Sequence, residues 1–294
     1  MVLATLPYPN IDPVLVHLGP LAIRWYALAY IAGLVLAWQG INWTLRRKSP
    51  WAPPPFNGKP PATEDQIGDL MVWATFGVIL GGRLGWDLIY GTILCSVSPY
   101  AEFCQSATDG SLPMAFVTHP LKLIAAWEGG MSFHGGLFGV VLAVWLFCRK
   151  YKLNLLAVAD LAAAFAPVGL FFGRLANFIN GELWGRITDV PWAMVFPRAG
   201  DLPRHPSQLY EAATEGLLLF LIMQICLQVF KLHRRPGLLT AIFFLGYGTF
   251  RFICEFFREP DAPFLGQVSM GMALSIPVWL TAGIVFALAW RKRA

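Results

Sequence analysis

Residues 161–172 read LAAAFAPVGLFF, and the chain then turns polar without a break, as GRLANFINGELWGR over 173–186. Apolar runs of this kind recur along the whole chain, and they constrain the fold more than any other feature. A hydrocarbon core about 30 Å thick is crossed by roughly 20 consecutive apolar residues in a helix. The backbone groups of such a run must be satisfied internally, which leaves helices as the economical solution. With 56% hydrophobic and 13% charged residues over 294 positions, and a mean hydropathy of +0.56, the chain is too apolar for a water-soluble globule. The pattern predicts an all-α polytopic membrane protein with seven transmembrane helices, roughly 22–43, 66–90, 132–150, 154–180, 206–231, 237–258 and 267–290.

These helices form one integral-membrane domain, 1–294, without internal repeats. The first twenty residues hold four prolines and no basic n-region, so the first helix is expected to be retained rather than cleaved as a signal peptide. A proline-rich cytoplasmic loop, 44–65, contains SPWAPPPFNGKPPAT, which cannot continue a helix. Two longer connections, 91–131 and 181–205, are expected as small periplasmic segments. Arg46, Arg47, Lys48, Lys59, Arg149, Lys150, Lys152, Lys231, Arg234, Arg235, Arg291, Lys292 and Arg293 all fall on alternating loops. The excess of basic residues on cytoplasmic loops then places the C-terminus inside and the N-terminus in the periplasm. These anchors also account for the formal net charge of +5, so no nucleic acid is expected as a partner.

Depth along each helix locates the unusual residues. At about 1.5 Å per residue, Arg174 lies roughly 30 Å along the fourth helix and Arg251 roughly 21 Å along the sixth, both towards the outer face. Arg83 is carried outward on the second helix, with Asp87 one turn beyond. Tyr26 and His134 lie in the first turns of helices that start outside. Tyr247, Arg251, Glu255 and Arg258 share one stripe, and Arg174, Asn177 and Gly181 another. A charge inside a membrane is costly and marks a functional site by default. The competing reading makes Arg251–Glu255 and Arg83–Asp87 structural pairs between helices. Gly81, Gly82, Gly85, Gly135, Gly136 and Gly173 are expected to allow close helix approach. Gly181 and Gly185, flanking Glu182, are expected to free backbone N–H groups for an anion. Arginine at the outer leaflet points to phosphate, which its planar fork binds bidentately. His17, His119, His205 and His233 are scattered, and neither a metal nor another cofactor is expected.

The segments GRLANFINGELWGR at 173–186, SFHGGLFG at 132–139, RHPSQLYEA at 204–212 and GYGTFRFICEFFRE at 246–259, with IRWYALAY at 23–30 and GGRLG at 81–85, resemble the prolipoprotein diacylglyceryl transferases along nearly the whole chain. The resemblance implies a bacterial inner-membrane enzyme with its active site towards the periplasm. Its partners would be phosphatidylglycerol, prolipoprotein signal peptides bearing a lipobox cysteine, and the surrounding membrane lipids. The diacylglyceryl group would pass to that cysteine as a thioether, with release of glycerol 1-phosphate. It further implies roles for Tyr26, His134, Arg174, Asn177, Glu182, Gly185, Tyr247, Arg251 and Glu255. The long segment 91–118 and the proline-rich loop depart from the family pattern.

What that reaction needs assigns the roles. Charge builds on the departing phosphate, so cationic donors that bind it best in the transition state accelerate the step; Arg174 and Arg251 are placed there. A thiol of pKa about 8.5 is mostly protonated near neutrality, which gives His134 the part of base. Tyr26, Asn177 and Tyr247 are expected to orient the headgroup, Arg83 to contribute to binding, and Glu182 and Glu255 to position the arginines. Cys148, Cys226 and Cys254 read as ordinary small apolar residues. Asp160 and Asp69 are expected to pair with helix ends or basic side chains. Cys95 and Cys104 are candidates for a disulfide in an oxidising periplasm. The rival class is a membrane transporter, or a binder of an anionic lipid or small anion. A transporter predicts polar residues through the full depth and discontinuous helices in matching halves, and the sequence shows neither.

Overall fold

The computed structural model describes residues 6–9, 11–19, 21–86, 131–260, 263–265 and 268–291. Asp87, most of the 91–131 segment, and Cys95 and Cys104 lie outside the described residues. Two compact units divide the chain, residues 62–155 and the remainder.

The smaller unit pairs helix α2 (Glu64–Gly85) with α3 (Phe133–Lys150). Thr63 starts α2 with a reciprocal cap: its Oγ1 accepts the Gln66 N–H at 3.2 Å, and Gln66 Oε1 accepts the Thr63 N–H at 2.9 Å. Glu64 and Asp65 in the first turn complement the helix dipole. Ser132 starts α3 by accepting the Gly135 N–H at 3.1 Å. Gly77, Gly81 and Gly85 face Gly135 and Gly139 along a seam of small residues. A Cβ at Gly85 would lie 2.6 Å from Gly135 Cα, and one at Gly77 2.6 Å from the Gly139 carbonyl oxygen. Only hydrogen side chains permit that approach, as the GGRLG and GG segments predicted. Gly173 departs from the expectation: a Cβ there would meet nothing within 4 Å.

The larger unit holds α1 (Trp25–Arg46), α4 (Leu155–Ile179), α5 (Ser207–Val229), α6 (Leu238–Cys254) and α7 (Met270–Arg291). Among the described residues α1, α2, α4, α5 and α7 are long and apolar enough to cross a membrane by length and composition, and α6 is a shorter apolar helix. Phe76, Phe138, Val229 and Leu280 are more than half exposed on these helices, the outward face expected of a protein surrounded by lipid. Asp160 of α4, 2% exposed, meets the start of α6, accepting from the Gly237 N–H at 2.8 Å, the Thr240 N–H at 2.8 Å and the Thr240 hydroxyl at 2.7 Å. It neutralises the orphan donors of that helix terminus from a neighbouring helix, as expected of Asp160; Asp69 instead accepts the Tyr151 hydroxyl at 3.4 Å.

Two features correct the all-helical expectation. Strand β1 (Val14–Leu18) pairs antiparallel with β2 (Leu21–Arg24), so α1 begins at Trp25 rather than at 22. Strands β3 (Pro263–Leu265) and β4 (Val268–Ser269) form a second short hairpin before α7. In addition, α5 is not α-helical throughout: 212–218 and 225–229 are wound as π-helix.

Candidate active site

The end of α4 explains how GRLANFINGELWGR leaves its helix. The Tyr8 hydroxyl contacts the Phe178 and Ile179 carbonyls at 2.7 and 3.1 Å. Gly181 adopts φ +62° while its N–H returns to the Phe178 carbonyl, the left-handed stop that glycine makes easily. Leu183 is also left-handed, at φ +58°, which is unusual for a branched side chain. Two buried side chains at the start of α5 hold this turn: Gln208 Nε2 donates to the Glu182 carbonyl at 2.6 Å and the Ser207 hydroxyl to the Leu183 carbonyl at 2.9 Å.

The N–H groups expected to be free for an anion are already engaged. Those of Gly181, Glu182 and Gly185 donate to the carbonyls of Phe178, Asn177 and His205. Gly185 is required by packing instead. A Cβ there would lie 2.5 Å from the Phe257 carbonyl oxygen and 2.6 Å from that of His205. Glu182 is likewise corrected. Its Oε1 accepts from Asn177 Nδ2 at 2.8 Å and Asn180 Nδ2 at 3.3 Å, so it orders asparagines, and no arginine contact to it is seen among the described interactions.

Arg174 and Arg251 converge, but on carboxylates that the sequence reading did not single out. Glu211 and Glu215, both at 0% exposure, stand where α5 enters its first π-helical turns. Glu211 Oε1 accepts from Arg251 Nη1 and, at 3.4 Å, from Arg258 Nη1. Its Oε2 lies 3.1 Å from Arg174 Nη1, an ion-pair distance without hydrogen-bond alignment. Glu215 Oε2 accepts from Arg174 Nη2 at 3.1 Å. Glu255 Oε2 lies 2.7 Å from Arg251 Nη2, and its Oε1 accepts the Ser269 hydroxyl at 2.8 Å. The Arg251–Glu255 pair and the placement of Arg258 on that stripe thus agree with helix phase. Tyr247 lies in electrostatic range of Arg174, Arg251, Glu211 and Glu215. Tyr26, whose hydroxyl is 3.1 Å from that of Tyr30, is in range of Arg174 and Glu182. Arg174 and Arg251 retain 15% and 16% side-chain exposure. Among the described interactions each guanidinium reaches carboxylates through its two Nη atoms.

Arg83 and His134 belong to the other unit. Arg83 is buried near the end of α2, and His134 is exposed in the first turn of α3. His205 is a further histidine in the larger unit. Tyr210 Oη accepts the Trp192 indole N–H at 2.6 Å and lies 3.0 Å from His205 Nδ1. Burial pushes the His205 pKa down. Cys148, Cys226 and Cys254 are buried free thiols, with Cys254 Sγ 3.3 Å from the Thr214 hydroxyl.

A family model described as prolipoprotein diacylglyceryl transferase matches residues 13–288. The chain is 49% identical over 290 residues to a protein of Methylocella silvestris named phosphatidylglycerol–prolipoprotein diacylglyceryl transferase, covering 98% of this chain and 97% of that one. A Rhodospirillum rubrum protein of the same name is 49% identical over 295 residues, with 99% and 97% covered. One from Agrobacterium fabrum is 44% identical over 283 residues, with 95% and 92% covered.

Proposed function

The chain belongs to the prolipoprotein diacylglyceryl transferase family, and on that premise we propose how its own residues carry out the transfer from phosphatidylglycerol to a prolipoprotein. The lipobox cysteine sulfur attacks the glycerol carbon joined to the phosphate. A C–S bond forms and the C–O bond breaks. The electron pair stays on the phosphate oxygen, the thiol proton passes to a base, and glycerol 1-phosphate leaves.

Arg174 and Arg251 hold the phosphate as its charge grows. The observation that carries this is their meeting across one buried carboxylate, Glu211, while both keep some exposure. An arginine pre-aimed by a carboxylate needs little reorganisation as the barrier is crossed. Tyr26, Asn177 and Tyr247 orient the headgroup, Glu182 fixes Asn177, and Glu255 fixes Arg251. Gly185 lets the surrounding backbones close up, Arg83 assists lipid binding, and His134 takes the thiol proton. The protein is an inner-membrane enzyme crossing seven times, with its N-terminus and active site towards the periplasm. Five helices are long and apolar enough to cross and α6 is a shorter apolar one; in this reading α3 supplies the remaining crossing.

Incubation of purified protein with phosphatidylglycerol and a lipobox peptide should yield a diacylglyceryl thioether by mass spectrometry. Arg174→Lys and Arg251→Lys should each lower turnover about 100-fold, as removal of one oriented donor does. His134→Gln should be impaired most at low pH and recover as the thiol ionises unaided. Normal turnover in either lysine variant, or a His134→Gln defect that ignores pH, would refute the assigned roles. For topology, a periplasm-active reporter should work after Asp201 and be silent after His233; the reverse pattern removes the stated orientation.

A further inference from the structure

Glu211 forms ion pairs with three arginines that come from two different parts of the fold. Arg174 is on α4, Arg251 is on α6, and Arg258 lies just beyond the end of α6. The carboxylate is wholly buried, and among the described residues these guanidinium groups are the charges paired with it. Among the described ion pairs, Arg174, Arg251 and Arg258 meet Glu211, Glu215 and Glu255, three formal charges of each sign.

We propose that Glu211 is a positioning residue that aims the arginines at the lipid phosphate and cancels enough of their charge for the product to leave. This rests on the reading that Arg174 and Arg251 hold that phosphate. The substrate is a phosphodiester with one negative charge. Once its C–O bond breaks, the product is a phosphate monoester that carries up to two. A site with excess positive charge would attract the product more strongly than the substrate, because the interaction scales with ligand charge. A neutral site with well-aimed donors recognises the phosphate by hydrogen-bond geometry while keeping the monoester from being trapped. Both halves of the role follow from a single side chain, and they separate experimentally. Glu211→Gln keeps the size and removes the charge. Glu211→Asp keeps the charge and withdraws the carboxylate by one methylene. Glu211→Gln combined with Arg258→Gln restores the charge balance without restoring the hub.

The measurements are folded protein, kcat, KM for phosphatidylglycerol, and the inhibition constant of added glycerol 1-phosphate. Glu211→Gln should lower kcat at least about tenfold and tighten glycerol 1-phosphate inhibition by about tenfold, without raising KM. Glu211→Asp should lose kcat with its inhibition constant unchanged. The double variant should return the inhibition constant to within about threefold of the starting protein while kcat stays low. A purely structural carboxylate would instead reduce folded protein or raise KM, with product inhibition unmoved. Unchanged or weakened product inhibition in Glu211→Gln overturns the proposal, as does a double variant indistinguishable from the single one. Where Glu211→Gln fails to fold, Glu211→Asp decides: normal kcat there sinks the positioning role. The underlying phosphate reading fails separately, through normal turnover in Arg174→Lys or Arg251→Lys, whatever the Glu211 variants do.

Discussion

Gly185→Ala tests whether packing around one glycine holds the arginine network in register. Gly185 is threaded between two backbones: its N–H donates to the His205 carbonyl at 2.9 Å, and the neighbouring Arg186 N–H to the Phe257 carbonyl at 2.9 Å. A methyl group would lie 2.6 Å from the His205 carbonyl oxygen and 2.5 Å from that of Phe257. Ordinary contact starts near 3.5 Å, so each backbone must retreat by about 0.9 Å. Residue 205 leads directly into the turn bearing Ser207, Gln208 and Glu211, and residue 257 adjoins Arg258. The retreat is therefore delivered to both sides of the cluster. Overpacking on this scale costs about 1–3 kcal/mol, which lowers the apparent melting temperature by about 2–10 °C for a chain of this size. A displacement near 1 Å at positioning groups lowers turnover about 100-fold. The assay is kcat/KM per folded molecule beside a thermal melt. Gly283→Ala on α7 is the control: a Cβ there meets nothing within 4 Å, and a helix-interior glycine replaced by alanine should gain about 0.5–1 kcal/mol. Turnover within threefold of normal in Gly185→Ala, with an unchanged melt, would refute the coupling.

Asp160→Asn should cost about 2–3 kcal/mol, since an amide nitrogen would oppose one of the donors now bound by the carboxylate; the apparent melt should fall while turnover per folded molecule stays within about twofold. Gly81→Val places a branched side chain where a Cβ alone would be 2.8 Å from Gly139 Cα, so the yield of folded protein should collapse, and a normal yield would contradict the α2–α3 seam. His233, in the basic turn after α5, is buried against the Pro50 and Leu227 carbonyls, and burial lowers its pKa from the ordinary value of about 6.5. The folded state then binds fewer protons than the unfolded one, so His233 favours folding fully above about pH 6.5 and progressively less as pH falls towards its folded value. His233→Gln should flatten the decline of melting temperature between about pH 7 and pH 5, whereas an unchanged slope would remove His233 from it.

Helix positions were legible because membrane helices must be apolar along their whole length; their exact starts were not, because these depend on hydrogen bonds with weak sequence signals. The predicted 132–150 helix is observed as Phe133–Lys150 and 154–180 as Leu155–Ile179. The second helix starts two residues earlier than expected, where Thr63 and Gln66 cap each other. The β1–β2 hairpin escaped notice for a different reason. VLVHL and LAIR are as apolar as the helix that follows, and runs this short carry too few periods to distinguish strand from helix. The π-helical turns of α5 leave no mark on its apolar pattern either. They matter because Glu211 and Glu215 stand where that winding begins.

The candidate site was half legible, and the missing half follows from the rule that found the arginines. A charge within a membrane helix requires compensation, and that applies to Glu215 as much as to Arg174. Glu211 sits inside RHPSQLYEA, four residues before Glu215, but lies so near the start of its helix that it resembles a boundary residue. Helix phase supplied Glu255 for Arg251, whereas the carboxylates paired with Arg174 are far from it in sequence. Those carboxylates, Glu211 and Glu215, come from the first turns of α5. The glycines show the opposite ambiguity. Gly181 turns left-handed to end α4, whereas Gly185 admits two crossing backbones, and the sequence alone distinguishes neither use from an anion nest. Carboxylates of α5 meet Arg174, Arg251 and Arg258, so on the proposed reading a change on that helix alters turnover without altering any arginine.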